Sequence, residues 1–426
     1  MSIENTVHNL CNEFDKSTSC SDTFAYSTLS QSLTKKIDKN EKKSNGIYFT
    51  PPETVHNDIN YLKPFMKNIK EVLEPSCGSC EYILALNKRH PNVNITGIEF
   101  NKTIYESIKS LENDKIKLFN SDFLNHEFNQ TYDLIIGNPP YFVMEKKYVC
   151  DSYKKYFDGR PNIFILFIIK SLGLLNDNGI LSFIVPNSFV NCLYYDKTRK
   201  YINENFIILN INDCNDNYIE TKQDTIRIVL QKKKPITSNE LHILNISEFT
   251  IFGTKEKIVT LKKLYSGSTT LNKVDFNVNV GTVVWNQCKS ILTDDKEKTL
   301  LIYSSDITNN KLETKQYSNT SKKNYINKNG SKSPLLVINR GYGVGSYHFN
   351  YCLINENDNT EYLVENHLIC IKHTKPISDE DLIRNYKKII RSFEHEKTVE
   401  FIKIYFGNNA MNTTELSKIL PIYDYN

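Results

Sequence analysis

The tetrapeptide Asn138-Pro139-Pro140-Tyr141, directly after the apolar run 134–137, carries the sharpest chemical signal in the chain. An amine conjugated to an aromatic ring is a poor nucleophile because its lone pair is delocalised. Two acceptors aimed at its two N–H bonds favour the tetrahedral-like nitrogen that presents the lone pair to a methyl donor. The Asn138 side-chain carbonyl can be one acceptor and the Pro139 backbone carbonyl the other, with Pro139 and Pro140 limiting backbone freedom. Tyr141 offers a flat face on which a planar base can stack. No charged acid or base is needed, and no paired carboxylate or catalytic His is evident nearby. The competing reading is a strand-ending turn; the order strand, Gly137, tetrapeptide weighs against it.

A second set of residues suits a nucleoside. The run Glu74-Pro75-Ser76-Cys77-Gly78-Ser79-Cys80 is a small-residue turn between strand and helix, where a ligand can approach the backbone closely. It has no Lys at the offset of a phosphate loop. Glu99 ends the next strand and can accept from both hydroxyls of a ribose. Asp122 ends the third and can accept from an adenine amine. Taken singly, each is also readable as an exposed strand-end carboxylate. One carboxylate at each of three successive strand ends is harder to explain that way. Cys77 and Cys80 form the one close cysteine pair, but two further ligands for zinc are not evident, so no metal is expected.

The elements that must position these groups alternate in type. Apolar strands are predicted at 71–75 and 94–100, within 115–123, at 132–141 and 179–186, and at 224–234 running out into a basic loop, with helices at 82–89, 104–111 and 162–175 between them. That order predicts an α/β fold with a mostly parallel sheet, helices on both faces and ligands at the carboxyl ends of the strands. Residues 1–45 read as a polar N-terminal arm, 46–240 as the first domain and 241–426 as a second, α+β domain. The second has strand candidates at 282–286, 334–340 and 367–372, and a helical stretch at 377–407.

The 426 residues suffice for two cores. A net charge of +4 is compatible with nucleic acid without implying it. Mean hydropathy is −0.45, and the most apolar stretch, 163–175, is interrupted by Lys170 and too short to span a bilayer, so no membrane is expected. The first 45 residues are polar and the cysteines scattered, which predicts an intracellular protein without disulfides.

These motifs resemble the amino-methyltransferases of DNA, and specifically the N6-adenine group with the cofactor half first and a C-terminal target recognition domain. GIYFTPP (46–52) resembles that family's opening motif and LEPSCGSC (73–80) its glycine-rich loop. IEF (98–100), SDF (121–123), NPPY (138–141) and FIVPNSF (183–189) follow in the family's order. The likeness is nearest to the Thermus aquaticus TCGA-type adenine methylases. It extends more weakly through VVWNQ (283–287), NRGYG (339–343) and ENHLI (365–369).

The resemblance implies a Rossmann-like fold and S-adenosyl-L-methionine as cofactor. It implies that Thr50 and Glu74 contact the methionine part, that Cys77 and Gly78 form the loop, that Glu99 holds the ribose and Asp122 the adenine, and that Phe167 packs on the cofactor. Tyr141 and Tyr218 would sandwich a flipped adenine. Phe167 and Tyr218 are equally readable as ordinary core or surface aromatics. Cys80 departs from the family, standing where the loop's last glycine is usual.

Double-stranded DNA is the implied partner, with Lys322, Lys323, Lys328 and Lys332 meeting phosphates and Arg340 a guanine edge; a solvated loop explains the lysines equally well. A separately acting restriction endonuclease is a further implied partner, and a monomer suffices to read an asymmetric site. The rival readings are an RNA or protein-glutamine N-methyltransferase, a non-catalytic DNA-binding subunit of the same fold, and a combined nuclease and methylase.

Overall fold

The computed structural model describes residues 25–214, 224–235, 239–340, 349–356, 359–407 and 411–425. The chain divides into two compact units, 1–258 and 259–426. The first is built on β1 (Glu71–Glu74), β2 (Asn94–Glu99), β3 (Ile116–Asn120), β4 (Tyr132–Gly137), β5 (Leu175–Pro186), β6 (Ile207–Cys214) and β7 (Thr225–Gln231). They form one sheet in the order β3-β2-β1-β4-β5-β7-β6, parallel from β3 to β5, with β7 antiparallel to both of its neighbours. This is a Rossmann-like, mostly parallel α/β sheet. The chain runs outward from β1 to β3 and then crosses back to β4. The ends of β1 and β4 therefore flank the point where strand order reverses, where a cleft opens in such sheets.

The apolar runs form strands because both faces of the sheet are covered. Leu73, Ile135, Leu181 and Ile228 face one core, with helix Ile163–Leu174; Val72, Leu134, Ile136 and Val229 face the other, with helices Pro52–Leu62 and Glu81–Arg89. Helix Ile163–Leu174 is apolar nearly all round and accordingly buried. Asn162 caps its start, and the chain passes from it directly into β5. The arm contributes helices Thr28–Lys36 and Lys39–Asn45, both within the first unit.

Hairpin Ile243–Ile246/Phe249–Phe252 also belongs to the first unit, which ends at 258. The reason is the buried Arg199, whose guanidinium donates to the carbonyls of Thr250, Phe189 and Cys192, while Asp196 accepts from the Thr250 amide. The second unit has a four-stranded antiparallel sheet of Phe276–Val280, Leu368–His373, Leu335–Asn339 and Tyr351–Ile354. A smaller mixed sheet and three helices accompany it.

Two expected elements differ. The stretch at 282–286 is no strand: Val283 makes an isolated bridge to Glu365, and Trp285–Gln287 is a 3₁₀ turn. The helix expected over 377–407 is two, Asp379–Glu394 and Glu396–Tyr405, because His395 turns to an extended conformation and caps the second. No helix among the described residues is long and apolar enough to cross a membrane.

Phe164 joins the core to the NPPY segment. It is fully buried, and its ring meets those of Tyr141, Phe189 and Tyr195 edge-on. Phe164→Ala should cost about 3–5 kcal/mol of stability in urea melts; a loss below about 1 kcal/mol would contradict this packing.

Candidate active site

The helix Lys39–Asn45 ends on Gly46, which takes the left-handed conformation (φ 63°) typical of a helix stop. Gly46 has a second, tighter reason to be glycine. A Cβ there would stand 2.6 Å from the Tyr141 amide nitrogen and 3.1 Å from its carbonyl carbon and oxygen. The segment 46–49 is thus laid against the backbone of NPPY. Its Tyr48 carbonyl accepts from Asn138 Nδ2 at 3.4 Å, which turns Asn138 Oδ1 into the acceptor position. The Tyr141 hydroxyl lies within reach of two acceptors, Asn138 Oδ1 and the Ile184 carbonyl, the latter at 2.9 Å. Ser76 Oγ donates to the Asn138 carbonyl at 3.2 Å and ties the glycine loop to the same motif.

On the neighbouring strand ends, Glu99 is buried and accepts from the Gly78 amide at 2.9 Å and the Asn101 amide at 2.7 Å. Burial raises its pKa to about 7, with the two amides pulling the other way. Glu74 is buried beneath Gly137, and its Oε2 has no hydrogen-bond partner. Burial, and then the nearby charges of Glu81 and Glu99, hold Glu74 well above the ordinary carboxylate range. Glu81, raised by burial, accepts from Ser27 and Ser30, and the Ser30 and Ser79 hydroxyls lie 2.7 Å apart, so the arm grips the glycine loop.

Cys80 adopts φ 64°, a region that costs a side-chain-bearing residue about 1–2 kcal/mol. The turn is nevertheless kept: the Cys80 amide donates to the Cys77 carbonyl at 2.7 Å. Both thiols are buried and raised, Cys77 chiefly through its contact with Cys80 and Cys80 through burial. Among the described residues no group of three or more His, Cys, Asp or Glu is placed to hold a metal ion.

These elements enclose one cavity. Gly78, Glu99, Asp122, Phe167, Asn138 and Pro140 line it. Thr50, Glu74, Cys77, Pro139 and Tyr141 are not in its wall. Thr50, Glu74 and Cys77 are buried, and Tyr141 is partly buried against Phe164. Asp122 accepts from the Leu124 amide at 2.9 Å and from Asn125 at 2.6 Å. Further lining residues were not singled out in the sequence: Gly46, Tyr48, Phe49, Phe100, Phe123 and Met144 among them. Phe100 is 68% exposed directly after Glu99, a signal legible as an apolar residue following a strand-end acid.

Tyr218 lies outside the described residues, as do positions 341–343 of the NRGYG motif. Arg340 is partly exposed at the end of strand Leu335–Asn339. Lys322 is held inside its own unit, 4.0 Å from the Tyr303 ring centre and 3.7 Å from that of Tyr317. Lys323 pairs with Asp294 at 2.5 Å, whereas Lys328 and Lys332 are exposed.

The residues present fit S-adenosylmethionine. Glu99 in the cavity lining, the aromatic wall of Phe49, Phe100, Phe123 and Phe167, and the orphaned Glu74 Oε2 behind it match a nucleoside with a cationic tail. The raised Glu99 also makes a stability prediction. Below the ordinary value of 4.5 the group is protonated whether folded or not. Between 4.5 and about 7 the unfolded chain releases a proton that the fold retains, so stability falls as pH rises across that window. Glu99→Gln should flatten this fall in urea titrations at pH 5 and pH 7.5, while Glu74 and Glu81 keep their share; an unchanged difference between the two pH values would refute it.

Comparison with known proteins agrees with this geometry. Residues 21–219 match the Eco57I restriction-modification methylase family. Type II methyltransferase M.CvrRI of Paramecium bursaria Chlorella virus XZ-6E is 24% identical over 91% of this chain and 97% of its own. Modification methylase CviBIII of Paramecium bursaria Chlorella virus NC1A is 25% identical over 93% of this chain and 99% of its own. Among solved structures, the N-methyltransferase NodS of Bradyrhizobium japonicum WM9 with S-adenosyl-L-homocysteine superposes with a TM-score of 0.30 and 15% identity, over 48% of this chain and 99% of that one. The matched relatives define a wider group than the TCGA-type enzymes alone. The chain is thus similar, over nearly half its length, to the Eco57I restriction-modification methylase family, and the residues around its cavity fit S-adenosyl-L-methionine.

Proposed function

We propose that this protein methylates the exocyclic N6 amine of adenine at a specific site in duplex DNA, with the target base rotated out of the helix. The observation that carries this reading is the Asn138 side chain, oriented by the Tyr48 carbonyl in the wall of the cofactor cavity. Asn138 Oδ1 accepts one N–H of the amine and the Pro139 carbonyl the other, which turns the nitrogen lone pair toward the cavity. Tyr141 can give its hydroxyl proton to Ile184 instead, at 2.9 Å, so Oδ1 is released to the substrate without stranding the phenol.

S-adenosylmethionine, when bound, supplies an electrophilic methyl group on a sulfonium sulfur. Glu99 holds its ribose and Asp122 its adenine amine, while Thr50 and Glu74 act on the methionine part from behind the wall. Cys77 and Gly78 shape the loop, and Phe167 packs against the nucleoside with Phe123, 4.8 Å away ring to ring. The amine proton leaves to solvent, since the acceptors around it are neutral carbonyls.

A base inside a duplex cannot reach such a cavity, hence the rotation of the target. Tyr141 supplies one stacking face and Tyr218 the other. The second unit reads the site, with Arg340 and the exposed Lys328 and Lys332 against the duplex, while Lys322 and Lys323, tied to Tyr303, Tyr317 and Asp294, shape the loop. A restriction endonuclease that cuts the same sequence is the separate partner, and the enzyme acts as an intracellular monomer. The motif likeness to TCGA-type enzymes makes TCGA the first target to map.

The test is transfer of labelled methyl to unmethylated duplex DNA, RNA and a protein carrying accessible glutamines, with nucleoside analysis. The parent should form N6-methyladenine in DNA, and Asn138→Ala should lose at least about a hundredfold in turnover while retaining cofactor binding. Label in RNA or protein instead would overturn the substrate; cofactor binding with no transfer to any of the three would favour a non-catalytic subunit.

A further inference from the structure

The chain between the NPPY motif and helix Ile163–Leu174 is a single excursion, 142–160, that starts and ends at the active-site wall. Phe142 and Met144 line the same cavity as Asn138. The two ends are pinned together: the Met144 amide donates to the Pro161 carbonyl at 2.8 Å, the Ile163 amide to the Phe142 carbonyl at 2.9 Å, and Val143 bridges Asn162. The middle is also held. Val149 and Phe157 are buried in the core, Thr198 Oγ1 donates to the Tyr156 carbonyl at 2.6 Å, and the Asp158 amide to the Tyr194 carbonyl at 2.9 Å. Gly159 (φ 62°) packs under the Tyr194 ring. The excursion is therefore an ordered element, although it holds no α-helix and no named strand.

What it presents outward is basic and apolar together. Five cations stand against three acids, Lys146, Lys147, Lys154, Lys155 and Arg160 against Glu145, Asp151 and Asp158, a net of +2 over 142–160. Lys147, Lys154 and Lys197 take up the three acids, at 2.7, 2.5 and 2.6 Å. Lys146, Lys155 and Arg160 are exposed and have no acidic partner among the described residues. Beside them Val143 is 59% exposed, Tyr148 69% and Tyr194 56%, which accounts for three of the ten large exposed hydrophobics among the described residues. A merely solvated face has no use for that much aromatic surface, whereas a polyanion with planar bases uses both kinds of group.

We propose that the 142–160 excursion is a nucleic-acid grip belonging to the catalytic unit itself, in which Lys146, Lys155 and Arg160 meet phosphates flanking the target base. This rests on the duplex-DNA substrate proposed above. Its first residues, Phe142 and Met144, line the cavity that the base must enter, so the grip acts on the strand next to the target. Because the excursion is ordered before DNA arrives, little conformational entropy is lost on contact. Phosphate contacts of this kind carry no sequence information and show themselves in the salt dependence of binding.

The test compares the full-length parent with the triple variant Lys146→Ala/Lys155→Ala/Arg160→Ala. Duplex DNA affinity is measured from 50 to 300 mM salt, with cofactor titration on the same samples. The variant should bind duplex on the order of tenfold more weakly near physiological salt, with a log–log salt slope shallower by about 3. Cofactor affinity should be unchanged, which shows that the surface substitutions leave the fold intact. If the parent binds duplex with a steep salt slope and the variant matches it, the grip is overturned while the DNA substrate stands. If the parent itself neither binds nor methylates duplex DNA, the grip and the substrate assignment fall together.

Discussion

The active site depends on one close approach: the backbone after Gly46 lies against the backbone of Tyr141. A side chain at position 46 would overlap main-chain atoms that cannot rotate away. The approach brings the Tyr48 carbonyl to Asn138 Nδ2 and so decides which end of a symmetric-looking amide faces the substrate. An amide turned the other way would present two hydrogens to an amine that already carries two, and attack would be disfavoured. The same segment supplies Phe49 and Tyr48 to the cavity wall, and the arm ahead of it holds the glycine loop through Ser27, Ser30 and Glu81. Cofactor space and amine acceptor are therefore set by one stretch of chain.

Electrostatics reinforce this arrangement. Glu74, Glu81 and Glu99 are buried around the glycine loop, and each is pushed upward by loss of water. Such a cluster is costly to bury. The NPPY motif, by contrast, offers neutral carbonyls.

Much of the first unit was legible because the physical signals are local. Apolar runs buried on both faces read as parallel strands, and the small-residue turn, strand-end acids and NPPY follow from what a strand end must do. Glu99 and Asn138 came to one cavity as their positions imply. The importance of Gly46 was less visible, because its constraint comes from a residue nearly a hundred positions later. The hydroxyl of Tyr141, read as part of a stacking face, proved to bond Asn138 and Ile184, a choice that depends on β5 lying next to β4. Position 80 shows a glycine-like conformation borne by Cys, which composition cannot reveal. In the second unit, Lys322 looks like any loop lysine in sequence; only the fold brings Tyr303 and Tyr317 around it.

The orientation of the Asn138 amide is the claim on which the rest turns, and Asn138→Asp tests it most directly. Aspartate keeps the shape and an acceptor oxygen but loses the N–H that the Tyr48 carbonyl holds, so oxygen would face oxygen at that contact. Single-turnover methyl transfer at saturating cofactor and DNA is the measurement. The account predicts a fall of about a hundredfold or more with cofactor affinity retained. Transfer at near the parent rate would mean that the Tyr48 contact does not position the acceptor, and the account would be contradicted.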